Sequence, residues 1–211
     1  KKPRGREPIS CRLVFDLLKT AGADRIMSVD LHAAQSQGFF DGPVDHLVAM
    51  PVLVDYIRDR FQGHLDNVAV VSPDAGRIRV AEQWAQRLGG GPLAFVHKTR
   101  DITRPNQAVA NRVVGDVAGK DCVLVDDLID TAGTIAGACH VLQDAGAKSV
   151  TVVATHGVLS GPAIERIEKS ALKEMVFLDT VPARPEVKCD KIKYISVAHM
   201  FAEAISHIYM E

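Results

Sequence analysis

Two adjacent carboxylates, Asp126 and Asp127, end an apolar run that begins at Val123. The next loop, residues 130–134, has the short side chains Asp-Thr-Ala-Gly-Thr, and a helix-like segment runs from Ile135 to Ala145. In such a strand, loop and helix, the loop N–H groups and the positive end of the helix dipole attract anions such as phosphate. Carboxylates at the strand end accept hydrogen bonds from sugar hydroxyls. The pattern predicts a pocket for a phosphorylated sugar; the alternative is an acidic strand end with an ordinary connection.

The loop before this helix has two hydroxyl side chains, Thr131 and Thr134. Each can donate a hydrogen bond to a phosphate oxygen. Thr134 is also the predicted N-cap, because a threonine hydroxyl accepts well from the unpaired N–H groups of a first helical turn.

A polar stretch, residues 98–107, carries three cations, among them Lys98 and Arg100. It connects a strand predicted for residues 93–97 with a β-like run at 109–117, and a hairpin with a long tip fits this pattern. In isolation the two cations are interpreted as solvated charges. The alternative is phosphate binding, for which arginine supplies a fork and lysine a point charge.

Two further side chains follow predicted strands. Asp74 lies in the loop 72–76, after a buried strand predicted for residues 68–71, and it is either a ligand for a hard cation or the cap of the next helix. His32 follows a strand predicted for Ile26–Leu31. By itself, His32 is interpreted as an ordinary strand-end histidine, because imidazole is an unusual magnesium ligand.

The elements that position these groups alternate between strand and helix. Helical spacing of apolar residues, ended by Gly22, predicts a first helix from Ser10. Further strands are predicted at 150–154, 175–178 and 192–197, and further helices at 52–61, 162–169 and 198–209. This alternation predicts an α/β fold with a mainly parallel sheet covered on both faces.

The helix, turn and strand unit occurs twice in the sequence. Residues 21–32 align without gaps on residues 145–156, so that Ala-Gly-Ala coincides in both copies and His32 falls on His156. The repeat predicts two domains of related fold, and a generic helix ending is the alternative. The first copy lacks the acidic pair, so it is not expected to bind the same sugar phosphate.

At residues 126–134, Asp-Asp-Leu-Ile-Asp-Thr-Ala-Gly-Thr, the chain resembles the ribose-phosphate loop of the type I phosphoribosyltransferase fold. With the His32 segment and the Lys98–Arg100 pair, it is similar along essentially its whole length to the class I ribose-phosphate pyrophosphokinases. The resemblance implies two related phosphoribosyltransferase-like domains. It also implies transfer of the pyrophosphoryl group of ATP to the C1 hydroxyl of ribose 5-phosphate, which gives phosphoribosyl pyrophosphate and AMP for nucleotide biosynthesis.

The resemblance also assigns roles to individual residues. Lys98 and Arg100 match the catalytic pair. The magnesium positions match His32 and Asp74, with Asp30 as a weaker candidate. Asp126 and Asp127 would take the ribose hydroxyls, and the phosphate would be held by Asp130, Thr131, Ala132, Gly133 and Thr134. The family more often has glycine at position 132, where alanine would be strained if φ were positive. The basic start matches a nucleotide or regulatory loop, or is a solvated terminus: Lys1, Lys2, Arg4 and Arg6.

On this resemblance the chain lacks the N-terminal portion that binds adenine. The expected domains are 1–47, the latter part of a first domain; 48–200, the catalytic domain; and 201–211, a helix that packs back toward the first domain. A homo-oligomer, a hexamer by resemblance, is expected, with phosphate and ADP as possible regulators. Two other functions stay open: a phosphoribosyltransferase that consumes phosphoribosyl pyrophosphate, and a non-catalytic regulatory subunit.

Composition sets broader limits. A formal net charge of -1 over 211 residues gives no indication of a nucleic-acid or anionic-membrane surface, and 47% hydrophobic residues suffice for a core. Cys11, Cys122, Cys139 and Cys189 show no close pairing, as expected of reduced thiols. With no signal peptide or long apolar span in the sequence, a cytoplasmic protein is expected.

Overall fold

The computed structural model describes residues 9–99, 110–183 and 188–210, and the side chains of residues 98, 99, 110 and 111 are not included. The chain divides into two compact units, of which the first ends at Ala49 and the second begins at Met50. Among the helices of the described ranges, none is both long and apolar enough to span a membrane.

The smaller unit contains helix α1 (Ser10–Thr20), strand β1 (Ile26–Val29), a 3-10 helix (Ala34–Phe39) and strand β2 (Val44–Leu47). β1 and β2 pair in parallel. The sequence pattern predicted neither β2 nor the 3-10 helix. Every residue of β2 is half-buried, so the strand shows no alternation between buried and exposed positions. β1 is also shorter than predicted, because the φ angle of 42° at Asp30 ends the extended backbone.

Helix ends in the two units have the same hydrogen-bond pattern, which supports the predicted repeat. Gly22 and Gly146 both have positive φ angles, 98° and 84°. The N–H group of Ala23 donates to the carbonyl of Leu18, five residues back, and Ala147 donates to Leu142 in the same way. Each end therefore closes with the 6→1 bond of a Schellman motif.

The larger unit contains helices α2 (Met50–Arg60), α3 (Ile78–Arg87), α4 (Gly133–Asp144), α5 (Ala163–Lys169) and α6 (Ala198–Met210). Its strands are β3 (Val68–Ser72), β4 (Leu93–Thr99), β5 (Ala110–Val114), β6 (Asp121–Ile129), β7 (Ser149–Gly157), β8 (Glu174–Leu178) and β9 (Ile192–Ile195). They form one sheet in the order β5-β4-β3-β6-β7-β8-β9. Every pairing is parallel except β4 with β5, so the predicted parallel α/β sheet and the hairpin are confirmed.

The central strands are buried on both faces. All five residues of β3 and all five of β8 are buried. Ile135, Leu142 and Ile167, from α4 and α5, pack in one core cluster with alternate residues of the strands. Because β3-α3-β4 and β6-α4-β7 progress in opposite directions along the sheet, right-handed crossovers put α3 and α4 on opposite faces.

A buried carboxylate joins α2 to the edge of the sheet. Glu174 Oε1 lies 2.5 Å from Arg60 Nε, and its Oε2 lies 2.8 Å from Lys193 Nζ and 3.2 Å from the Tyr56 hydroxyl. Burial raises the pKa of Glu174, but the hydrogen bonds from Lys193 and Arg60 outweigh it and hold the pKa below the ordinary value of 4.5.

We expect Glu174→Gln to lower the free energy of unfolding by about 1.5 kcal/mol at pH 7, because charge-assisted hydrogen bonds are replaced by neutral ones. A carboxylate with a depressed pKa stabilises the fold above its unfolded pKa and loses this effect as the pH falls through its folded value. The difference in the free energy of unfolding between wild type and variant should therefore have its full value at pH 7 and shrink below about pH 4.5. Urea denaturation at several pH values measures it, with Glu165→Gln as a control because the Glu165–Lys169 pair is exposed. A pH-independent difference would contradict the argument.

Candidate active site

The centre of the sheet contains a topological switch point. β3 and β6 are neighbours there, but the chain leaves β3 for β4 in one direction and β6 for β7 in the other. The loops at the carboxyl ends of such strands diverge and leave a crevice, which is where ligands bind in open α/β sheets. The loop after β3 contains Asp74, and the loop after β6 is the predicted phosphate loop.

The acidic pair forms ion pairs with an arginine. Asp126 and Asp127 lie near the carboxyl end of β6, and Arg77 ends a 3-10 turn (Ala75–Arg77) after β3. Arg77 Nε lies 3.1 Å from Asp126 Oδ1, and Arg77 Nη2 contacts Asp127 Oδ2. The Asp127 N–H group donates to Asp126 Oδ1 at 2.9 Å. The two carboxylates are thus held side by side at the switch point.

This environment shifts the titration of Asp126. Burial, followed by the hydrogen bond that its side chain shares with Asp127, raises the pKa of Asp126 to about 7, although the charge of Arg77 acts to lower it. Two adjacent buried carboxylates cannot both ionise easily, so their proximity favours a state in which one of them holds a proton.

The phosphate loop enters α4 through a left-handed residue. Ala132 precedes the helix with φ 56° and ψ 7°, so the position does require the positive φ angle at which alanine is strained. The prediction that Thr134 caps the helix is wrong: α4 begins at Gly133, and no side chain forms a cap hydrogen bond. The left-handed turn at Ala132 starts the helix one residue before Thr134, which therefore lies within the first turn. Thr131, Gly133 and Thr134 are exposed, so the outer side of the loop is accessible.

Two side chains from the segment after β7 hold this loop. Arg166 on α5 donates from Nη1 to the Thr131 carbonyl at 2.9 Å, and a Cβ atom added at Gly133 would lie 3.2 Å from the same nitrogen. The Ser160 hydroxyl donates to Asp130 Oδ1, and the Ser160 N–H donates to the Asp130 carbonyl at 3.1 Å. Arg166 and Ser160 therefore hold the backbone of the loop from one side.

Asp74 caps the turn after β3. Its Oδ1 accepts from the Gly76 N–H group at 2.9 Å, and its carbonyl accepts from the Ser72 hydroxyl at 2.6 Å. The capping alternative for Asp74 is therefore realised for the 3-10 turn, and the carboxylate lies at the carboxyl end of β3. Within residues 9–99, 110–183 and 188–210, no three His, Cys, Asp or Glu side chains are grouped closely enough to hold a metal ion by themselves.

In the smaller unit, Asp30 has a left-handed backbone, and both of its carboxylate oxygens lie 3.3 Å from the Ala49 nitrogen. The next residue is fixed by a histidine, since the Leu31 N–H group donates to His46 Nε2 at 2.8 Å. His32 follows and is exposed. Left-handed strain at a strand end is a feature of functional sites as well as of tight turns.

The remaining predicted site residues are only partly described. Lys98 pairs with Asn111 across the β4–β5 ladder, which puts its backbone at the base of the hairpin. Arg100 and the basic residues Lys1, Lys2, Arg4 and Arg6 lie outside the described residues.

Sequence patterns missed four residues that shape these loops: Arg77, Arg166, Ser160 and His46. Arg77 had a usable signal, because it is a cation in a strand-to-helix loop that neighbours an acidic strand end. The other three depend on contacts between segments 15 to 35 residues apart, which periodicity does not report.

A doubly wound, mostly parallel sheet with an acidic pair at its switch point defines a protein of the phosphoribosyltransferase-like fold class. The model of the "Phosphoribosyl synthetase-associated domain" family matches residues 100–211. A ribose-phosphate pyrophosphokinase of Bifidobacterium longum is 85% identical over 209 residues, and one of Mycobacterium tuberculosis is 55% identical. These alignments cover 99% of this chain and 62% and 64% of the relatives, so the chain spans less than two thirds of their length.

A solved structure shows similarity to the same family. The phosphoribosylpyrophosphate synthetase of Mycobacterium smegmatis superimposes with a TM-score of 0.90 at 53% identity, over 100% of this chain and 67% of that one. The chain belongs to the ribose-phosphate pyrophosphokinase family.

Proposed function

We propose that the protein transfers the pyrophosphoryl group of ATP to the C1 hydroxyl of ribose 5-phosphate, giving phosphoribosyl pyrophosphate and AMP for nucleotide biosynthesis. The observation that carries the proposal is the acidic pair followed by the left-handed phosphate loop at the switch point, in a chain 85% identical to a ribose-phosphate pyrophosphokinase.

In this proposal residues 126–134 bind the acceptor. Asp126 and Asp127 accept hydrogen bonds from ribose hydroxyls. The 5-phosphate lies on the loop from Asp130 to Thr134, where N–H groups 133 to 135 precede the first intrahelical bond, from Ala136 to the Ala132 carbonyl. The hydroxyls of Thr131 and Thr134 add donors to the phosphate.

Lys98 and Arg100 act on the donor. Pyrophosphoryl transfer requires charge neutralisation and in-line alignment, with little covalent chemistry from the protein. We propose that the two cations stabilise the charge that develops on the transferring phosphates. The ladder position of Lys98, at the base of the hairpin, supports this role because the strand fixes its backbone.

Magnesium is the proposed cofactor. Asp74 is its proposed ligand in the larger unit, and His32, with Asp30 as a weaker candidate, is the position proposed in the smaller unit. The carboxylate of Asp74 fits a hard cation, and magnesium bound to a nucleotide takes one or two carboxylates together with water and phosphate oxygens. Magnesium held there would neutralise phosphate charge. Because Asp74 Oδ1 accepts from the Gly76 N–H group, Oδ2 would be the oxygen that holds the ion.

The remaining proposals rest on family membership. They are a homo-oligomer, with a hexamer as the specific state, and regulation by phosphate and ADP through the basic loop of Lys1, Lys2, Arg4 and Arg6. We also propose a cytoplasmic location, with which the free thiols of Cys11, Cys122, Cys139 and Cys189 agree.

The direct test is AMP formation from ATP, magnesium and ribose 5-phosphate, measured with the full-length protein over a range of phosphate concentrations. AMP and phosphoribosyl pyrophosphate should form in equal amounts. No product at any phosphate concentration would refute the synthetase. Consumption of phosphoribosyl pyrophosphate with a nucleobase would indicate a phosphoribosyltransferase, and stimulation of another synthetase without turnover would indicate a regulatory subunit.

A further inference from the structure

The acidic pair, Asp126 and Asp127, is bound by an arginine to which the family resemblance assigned no role. Arg77 ends the turn after β3, and its guanidinium contacts both Asp126 and Asp127. We propose that Arg77 is a positioning residue that fixes the orientation of both carboxylates and favours their ionised forms, so that they accept the hydroxyls of ribose 5-phosphate. This inference rests on the proposed function, because that function supplies the sugar.

Arg77 joins the two carboxylates through different nitrogen atoms. Its Nε lies toward Asp126 Oδ1 and its Nη2 toward Asp127 Oδ2. Because a guanidinium is planar and rigid, two contacts of this kind fix the relative orientation of the groups that they bind. A carboxylate has two oxygens with about four lone-pair directions, so one such contact does not by itself use up its capacity to accept hydrogen bonds.

Burial makes the cation necessary. The side chains of Arg77, Asp126 and Asp127 are only 21%, 14% and 13% exposed. Among the described residues, the ionisable groups that act on Asp126 are Arg77, from the turn after β3, and Asp127, on its own strand. Its partner on the neighbouring strand β7 is the uncharged Ala154. Without Arg77, two adjacent carboxylates in this environment would retain a proton, and a protonated carboxyl is a weaker acceptor.

The position of Arg77 is itself fixed. It follows Asp74, whose carboxylate caps the turn by accepting from the Gly76 N–H group. The side chains of the turn and of β6 thus meet across the switch point, with the cation supplied by one loop and the two acceptors by the other. A cation held in this way orients the two carboxylates before the sugar binds. The entropy cost of ordering these carboxylates on binding is therefore lower.

The test is the dissociation constant of ribose 5-phosphate from pH 6 to pH 9, measured by calorimetry on full-length wild type, Arg77→Gln, Arg77→Lys and Arg79→Gln. Affinity of the wild type should rise with pH through about 7, where Asp126 loses its proton. In Arg77→Gln the midpoint should move up by about one pH unit, since an opposite charge is worth one unit or more. That shift weakens binding at pH 7 by about fivefold, with recovery toward pH 9.

The other variants separate charge from geometry. Arg77→Lys keeps the charge but loses the fork, so its midpoint should stay near the wild-type value while its affinity at pH 9 is lower. Arg79 is exposed in the first turn of α3, two residues after Arg77, and Arg79→Gln should match the wild type. The phosphate of the ligand titrates in this range too, but equally for all four proteins, so the differences between them report on the pocket.

An unchanged midpoint and affinity in Arg77→Gln would overturn the inference. Tighter binding of that variant at every pH would also overturn it, because Arg77 would then compete with the sugar. If Arg77→Gln does not fold, an Arg77→Lys affinity equal to wild type across the range contradicts a positioning role. A wild type that does not bind ribose 5-phosphate at any pH would refute the proposed function instead.

Discussion

Replacing Lys98 with alanine is expected to lower the turnover number by a factor of about 100 to 1,000, the usual effect of removing one preorganised group that stabilises transition-state charge. The dissociation constant of ribose 5-phosphate should stay nearly unchanged, because in the proposed function the acceptor binds to residues 126–134 and Lys98 acts on the donor. A loss confined to kcat identifies an interaction made in the transition state. Steady-state AMP formation and calorimetric binding on the same preparation measure the two quantities.

Arg112→Ala is the matched control for this experiment. Arg112 is an exposed cation on the other strand of the same hairpin, in register with His97. Its removal lowers the positive charge of the hairpin equally but should leave kcat close to that of wild type. If Lys98→Ala weakens turnover and ribose 5-phosphate affinity to the same degree, Lys98 is a binding residue and its assignment to the donor is wrong.

Much of the architecture could be predicted from local patterns. Apolar runs such as 68–71 and 150–154 gave buried strands, and the alternation of strand and helix gave a parallel sheet. The order of strand, short loop and helix at residues 123–145 could also be predicted, because acids, short side chains and a helix start lie next to each other in the chain; phosphate binding by this loop stays a prediction. These features depend on residues within one or two turns of each other, which is the range that periodicity and capping rules describe.

What could not be predicted depends on backbone geometry or on distant contacts. β2 has no alternation, so only its pairing with β1 reveals it. The helix start at Gly133 depends on the left-handed turn at Ala132, and a threonine one residue later was the more conventional cap. Arg77 and Asp126 are far apart in sequence, and they meet only because β3 and β6 are neighbours at the switch point.

The acidic pair should control acceptor binding. We expect Asp126→Asn and Asp127→Asn each to weaken ribose 5-phosphate binding about tenfold to a hundredfold, because each removes a charged acceptor worth about 1.5 to 3 kcal/mol. Either change also relieves the repulsion between the two carboxylates, and the remaining one still pairs with Arg77. The proteins should therefore stay folded, and the loss should appear in the dissociation constant measured by calorimetry.

Asp121→Asn separates this effect from a general loss of carboxylate charge on β6. Asp121 starts the same strand at its amino end, is about as buried as the pair at 15% exposure, and is bound to Lys148 and Ser149. Its substitution should leave the affinity for ribose 5-phosphate unchanged, because the ligand site is at the opposite end of the sheet. Unchanged dissociation constants in both Asp126→Asn and Asp127→Asn would show that the hydroxyls bind elsewhere, and equal losses in all three variants would show that the effect is not specific to the switch point.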